Sequence, residues 1–111
     1  MIERGRRTLR SAAAAQITAF QTALSIYKLD TGKFPTTEQG LAALWTKPEG
    51  VKRWDGPYLP LPPERLDSWG RAYIYKFPGE HGDKPDILSY GADGQPGGEG
   101  EDADILSWSS Q

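Results

Sequence analysis

Apolar residues recur along the first third of the chain at Leu9, Ala13, Ile17, Phe20, Leu24 and Tyr27, in steps of four, four, three, four and three. That is the period of an α-helix with one buried stripe. The run "SAAAAQ" adds strong helix formers. No glycine or proline interrupts the span from about Thr8 to Leu29, and Gly32 followed by Pro35 stops it. The pattern predicts a helix of roughly 22 residues, about 33 Å long. A helix of that length is large for 111 residues, so its N-terminal turns are expected to project beyond the body.

The period then changes. "FPTTEQGLAALWTKP" reads as a second, short helix, with Thr36 and Gln39 at the spacing of a capping box, Leu41, Leu44 and Trp45 facing inward, and Pro48 closing it. "EGVKRWDGPYLPLPPERLD" has no clean period and reads as an irregular connection with one short extended piece at Tyr58 to Leu61. "RAYIYKF" alternates, with Tyr73, Tyr75 and Phe77 on one side and Ala72, Ile74 and Lys76 on the other, as a half-buried strand does. "PGEHGD" is a turn and "DILSYG" the returning strand, so residues 71–91 predict an antiparallel hairpin, with "DILSW" adding a further extended segment. The fold class is α+β: a long N-terminal helix packed through Ile17, Phe20, Leu24 and Tyr27 on a small antiparallel sheet.

Length and composition narrow the function. The 111 residues fit one domain, spanning 1–111, whose core is modest enough to benefit from a staple. The absence of cysteine removes disulfides and Cys-ligated zinc. Net charge is only −2 but unevenly laid out: Arg4, Arg6, Arg7 and Arg10 crowd the start, while Asp93, Glu99, Glu101, Asp102 and Asp104 crowd residues 93–104 with no Lys or Arg among them. This layout argues against a nucleic-acid surface, which needs a basic stripe interleaved with aromatics. No apolar run approaches the roughly 20 residues that span a bilayer, and no signal peptide is present. The arginines at the helix start read either as a frayed, solvated end or as the remnant of a helix that continued into something apolar, such as a membrane.

Residues 91–104 also hold Gly91, Gly94, Gly97, Gly98 and Gly100. Crowded carboxylates repel one another unless something neutralises them, and three readings stand. One is a solvated, disordered acidic turn. Another is a hard-cation site: calcium takes six to eight oxygens from carboxylates and backbone carbonyls, and Asp93, Asp102 and Asp104 between two apolar runs offer that inventory. The EF-hand pattern is not matched. The third is a carboxylate pair for glycoside hydrolysis, which needs a cleft that a chain this small has little room for. His81 is the single histidine and reads as a solvated turn residue. Trp45, Trp54, Trp69 and Trp108 suggest either a sugar-binding platform or, at about one per element, core supplements. No nucleophile elbow, P-loop or dinucleotide fingerprint is present.

Four segments in order, "YKLDTGKFPTTEQGLAAL", "GPYL", "DSWGRAYIYKFPGEHG" and "DILSYGADGQPGGEGEDADI", resemble the major pseudopilin family of bacterial type II secretion systems, the general secretion pathway protein G family, from about Leu24 to Trp108. Ser68 departs from the proline of that family's D-P-W-G turn. Members begin with a leader cleaved by a prepilin peptidase, an N-methylated phenylalanine and an apolar helix that anchors in the inner membrane and later packs in the fibre core. On this resemblance the chain is a soluble piece of such a protein, with membrane contact only through that missing helix.

The resemblance implies a pilin-like fold and a structural role without catalysis. The chain would be the subunit of a periplasmic pseudopilus, self-assembling into a helical fibre with minor pseudopilins and the inner-membrane secretion platform, and helping export folded proteins across the outer membrane. It also implies one Ca2+ ion in the C-terminal loop, held by Asp93, Asp102 and Asp104 with the backbone carbonyl of Tyr90. From other classes, the alternatives are a stand-alone calcium-dependent extracytoplasmic binding module, for instance for a carbohydrate, and a small hydrolase using the acidic pair.

Overall fold

A computed structural model describes residues 2–60 and 67–108, with the side chains of residues 2–8 and 101 left out of the description. Helix α1 runs Ile2–Thr31, 30 residues, longer at both ends than the periodic stripe required. It stops where Gly32 donates its N–H to Lys28 O at 2.8 Å. Ala13, Ile17, Phe20, Ala23, Leu24 and Tyr27 are all buried, which is the expected stripe with Ala23 added. Leu9 is the exception: its side chain is exposed. The α1 backbone at this level instead meets the turn at Ser68, whose hydroxyl donates to Leu9 O at 2.7 Å. Among the described residues no helix is long and apolar enough to cross a membrane.

The second helix is much reduced. Thr36 and Gln39 do make the reciprocal capping bonds, Thr36 N–H to Gln39 Oε1 at 2.9 Å and Gln39 N–H to Thr36 Oγ1 at 3.1 Å. They close a turn and not a helix, because Gly40 follows at φ 64, in the left-handed region. Only a 3₁₀ helix, Leu41–Leu44, comes after it. Its burial is as expected, with Leu41 and Leu44 inward and Trp45 half-buried. The connection beyond is irregular and pinned to this 3₁₀ turn: Trp54 Nε1 donates to Ala43 O at 2.8 Å and Tyr58 N–H to Leu44 O at 2.7 Å. Residues 58–60 form no strand, and Leu61 lies outside the described residues.

Strands β1 (Ile74–Lys76), β2 (Asp86–Ser89) and β3 (Ile105–Leu106) form one antiparallel sheet in the order β1-β2-β3. Tyr75 pairs with Ile87, and Ser89 with Ile105. The alternation in β1 is the expected one: Tyr75 is buried while Lys76 is exposed, and Tyr73 and Phe77 pack at the margin of the core. Helix α1 lies over β2, β3 and the 3₁₀ turn, and Phe20 meets Tyr73 edge-on at 5.3 Å. Ile87, Ile105, Leu44, Leu59 and Phe34 complete the core. The tryptophans supply less of it than their number suggested. Trp45, Trp54 and Trp69 pack against its edge, and Trp108 stacks on His81 with ring centroids 3.9 Å apart.

His81 is an exposed turn residue, as expected, but it is not without partners. Its Nδ1 lies 3.0 Å from a carboxylate oxygen of the buried Asp86, which also accepts Glu80 N–H at 2.9 Å. The hairpin turn folds around a carboxylate from its own returning strand, and neither partner of that pairing is visible in a two-residue period.

Candidate functional site

The acidic loop joins β2 to β3 and begins on a buried polar base. Ser89 and Asp67 are both buried, and Ser89 Oγ donates to Asp67 Oδ2 at 2.7 Å. The other Asp67 oxygen accepts the N–H groups of Trp69 at 3.0 Å and Arg71 at 2.9 Å. Asp67 thus satisfies the "DSWGR" turn from inside, as a buried carboxylate must if it is to be tolerated. Gly91 N–H donates to Ser89 Oγ at 3.2 Å, which carries the same network into the loop.

Contacts between its ends and from two other parts of the chain then close the loop. Its entry and exit touch: a Cβ on Gly91 would stand 2.7 Å from Ala103 O. Arg71 Nη1 donates to Gly91 O and Ala92 O, both at 3.3 Å. From the helix side Arg10 Nη1 donates to Ala103 O at 2.8 Å, and Gln21 Nε2 to Ser107 O at 3.1 Å. Arg10 and Gln21 are eleven residues apart, about three helical turns, so they share one flank of α1. The guanidinium groups that the loop's own sequence lacks are brought to it from positions 10 and 71. The only sequence signal for Arg10 is its place three residues before Ala13, beside the buried stripe; for Arg71 no signal exists.

The four residues expected to hold a cation all lie on this loop or at its root, but their roles differ. Tyr90 is half-buried and directly follows β2. Asp93 is exposed, and its Oδ1 accepts Gln95 N–H at 3.0 Å. Asp104 is half-buried and its two oxygens accept Gly97 N–H at 3.1 and 3.2 Å, tying the middle of the loop to its end. Asp102 ends a one-turn 3₁₀ segment, Gly100–Asp102, with its N–H on Glu99 O at 3.0 Å. Among the described residues no three carboxylate or imidazole groups are drawn together closely enough to hold a metal. The donor chemistry is nevertheless that of a hard-cation loop: oxygens only, carboxylates and carbonyls, on a glycine-rich backbone. Asp93 Oδ1 and both oxygens of Asp104 accept backbone amides.

Comparison with known proteins places this architecture. The family model described as type II secretion system protein G matches residues 1–108. The type II secretion system core protein G of Vibrio cholerae is 46% identical over 102 residues, 89% of this chain and 68% of that protein. The protein of the same name from Pseudomonas aeruginosa is 46% identical over 101 residues, 86% of this chain and 68% of its own length. Among solved structures, the major pseudopilin of the type 2 secretion system of enterohaemorrhagic Escherichia coli superposes with a TM-score of 0.75 at 35% identity, covering 97% of this chain and 93% of that one. A long helix on a three-stranded antiparallel sheet, matched in sequence from the first residue to Trp108, makes this chain a member of the type II secretion system protein G family, the pseudopilins.

Proposed function

We propose that this pseudopilin is the repeating subunit of a helical fibre that stands in the periplasm on an inner-membrane secretion platform, carries minor pseudopilins, and helps move folded proteins across the outer membrane. The family is structural and not enzymatic, so no residue is assigned a catalytic role. Membership itself implies a periplasm-facing protein that assembles with other secretion-system components. The self-assembled fibre, its partners and an anchoring apolar segment ahead of α1 belong to the proposal. The observation that carries it is the match to a major pseudopilin over 97% of the chain. Neither carbohydrate binding nor hydrolysis finds support in the matched proteins. A heterologous, head-to-tail contact between copies gives an open fibre and not a closed ring. The test is replacement of protein G by this chain joined to a family leader and apolar helix, in a bacterium with a working type II system. Recovery of secretion and of cross-linked ladders of the subunit is expected; a subunit that is stably made yet yields neither would overturn the reading.

For the acidic loop the reading is one calcium ion, held by the carboxylates of Asp93, Asp102 and Asp104 with the carbonyl of Tyr90. The ion would neutralise carboxylates that otherwise repel and would tie the loop to the end of β2. What supports this is the all-oxygen donor set on one loop whose two ends already touch. Magnesium is expected to substitute poorly, because it demands tight octahedral geometry and keeps its waters. Melting curves in calcium and in excess chelator decide it: superimposable curves would return the loop to a solvated turn.

A further inference from the structure

The entry of the acidic loop is held by a cation that belongs to the chain. Arg71 Nη1 donates to two successive carbonyls, Gly91 O and Ala92 O, at 3.3 Å each. The rest of the side chain crosses Gly94 so closely that a Cβ there would stand 2.4 Å from Arg71 Nε and 2.6 Å from Cζ. Glycine at 94 thus leaves the space the guanidinium occupies. The backbone of Arg71 is fixed on both sides by one residue: its N–H donates to Asp67 Oδ1 at 2.9 Å and its carbonyl accepts Asp67 N–H at 2.8 Å. Asp67 in turn holds Ser89, and Ser89 accepts the N–H of Gly91. A closed circuit therefore runs from Asp67 through Arg71, Gly91 and Ser89 back to Asp67.

This arrangement answers the electrostatic problem of five carboxylates in residues 93–104 with no basic residue among them. Arg71 is placed at the mouth of the loop, flanking Asp93 on both sides through Ala92 and Gly94. It binds carbonyls and leaves the carboxylates of Asp93 and Asp104 to the amides of Gln95 and Gly97. A charge-assisted bond to a carbonyl is stronger than a neutral one. We infer that Arg71 is the built-in counter-cation of the acidic loop: it holds residues 91–94 in place without a metal, and a bound cation takes over part of its task. The second clause rests on the calcium reading above; the first does not.

The test uses Arg71→Met, which keeps the stem and loses the charge, and Arg71→Lys, which keeps a cation able to reach both carbonyls. Arg71 is exposed, so neither change opens a cavity. In excess chelator Arg71→Met is expected to lower the melting temperature by about 4 °C and to speed protease cleavage within 91–104. In saturating calcium the loss should be less than half of that, and Arg71→Lys should recover most of it in both media. Gly94→Ala, whose methyl would push the guanidinium aside, is expected to destabilise the wild type more than it destabilises Arg71→Ala, whose side chain stops short of residue 94, a coupling that independent sites do not show. Arg71→Met melting with the wild type in chelator, or Arg71→Lys failing as badly as Met, would overturn the counter-cation. If wild-type curves with and without calcium coincide while Arg71→Met is weaker in both, the calcium reading falls and the counter-cation stands. If the wild type responds to calcium but Arg71→Met loses equally in both media, the shared task is disproved.

Discussion

The core under α1 and the acidic loop meet at Ile105, yet different forces hold them. The core is apolar side chain on apolar side chain: Phe20, Leu24 and Tyr27 from the helix against Ile87, Leu44 and Ile105, each at most 4% exposed. Such burial stabilises in proportion to area and tolerates no partial version, because a close-packed interior cannot refill a lost ring. The loop has almost no apolar burial. Its shape rests on single hydrogen bonds from residues distant in the chain, Arg10, Asp67, Arg71 and Ser89, to a glycine-rich backbone. One region is stable by volume and the other by a short list of polar bonds, so the loop is the part that solution conditions can tune.

The largest effect should come from breaking the core. Phe20→Ala removes a ring that is 1% exposed and touches Tyr73, and is expected to cost about 3–5 kcal/mol in urea unfolding, with or without calcium. A loss under 1 kcal/mol would mean that α1 is not seated on the sheet as described. Next is the proposed calcium ion: if the loop binds it, calcium at 100 times its dissociation constant should add about 2.7 kcal/mol, all of which chelation should remove. Asp93→Ala should reproduce the chelated state and make the chelator inert, while Glu99→Ala, an exposed loop acid with no assigned donor role, should leave the calcium response intact. Equal responses from the two variants would sink the donor assignment.

Smaller still is the joint between the two regions. Ser89→Ala strips one partner from buried Asp67 and the acceptor from Gly91 N–H, at an expected cost of about 1–3 kcal/mol, and should also loosen the loop to protease. A stable Ser89→Ala with an unchanged loop would show that the circuit through Asp67 is ornamental. The smallest effect is a pH slope. Burial raises the Tyr75 phenol well above its ordinary value of 10.0, with the neighbouring Tyr27 adding to it, and the hydroxyl donates to Pro35 O at 2.7 Å. The unfolded chain ionises first as pH rises through about 10, while the native phenol keeps its proton. Tyr75 therefore contributes its full stability below pH 10 and loses it progressively above. Tyr75→Phe should flatten part of that alkaline decline; an unchanged slope would assign it to Tyr27 and Tyr58, whose phenols burial also raises.

Local patterns were enough for helix α1, the hairpin of β1 and β2, and the return at β3. Helix α1 buries its periodic stripe from Ala13 to Tyr27 and β1 buries Tyr75, while β2 and β3 are too short to carry a period and were legible from the turn signals around them. Local signals also misled in identifiable places. The capping box at Thr36 and Gln39 is real, but Gly40, the residue after it, takes a positive φ and ends the helix before it begins. Leu9 continues the helical stripe in the sequence, yet its side chain is exposed. His81 was legible only as a turn residue, since its partners Asp86 and Trp108 are assembled by strand pairing.

Family, fold class and the position of the acidic loop are properties of the sequence, because they depend on residue types at short, regular spacings and on an ordered set of segments. What neutralises that loop was decided only in three dimensions. Arg71 is 20 residues from Gly91 and Arg10 is 93 from Ala103, separations over which no period persists. Such contacts exist because the core brings α1, the "DSWGR" turn and the root of β2 together first. Hydrophobic burial is non-directional and can be read from composition and period. The guanidinium bonds that follow are directional, short in range, and visible only once the chain has closed.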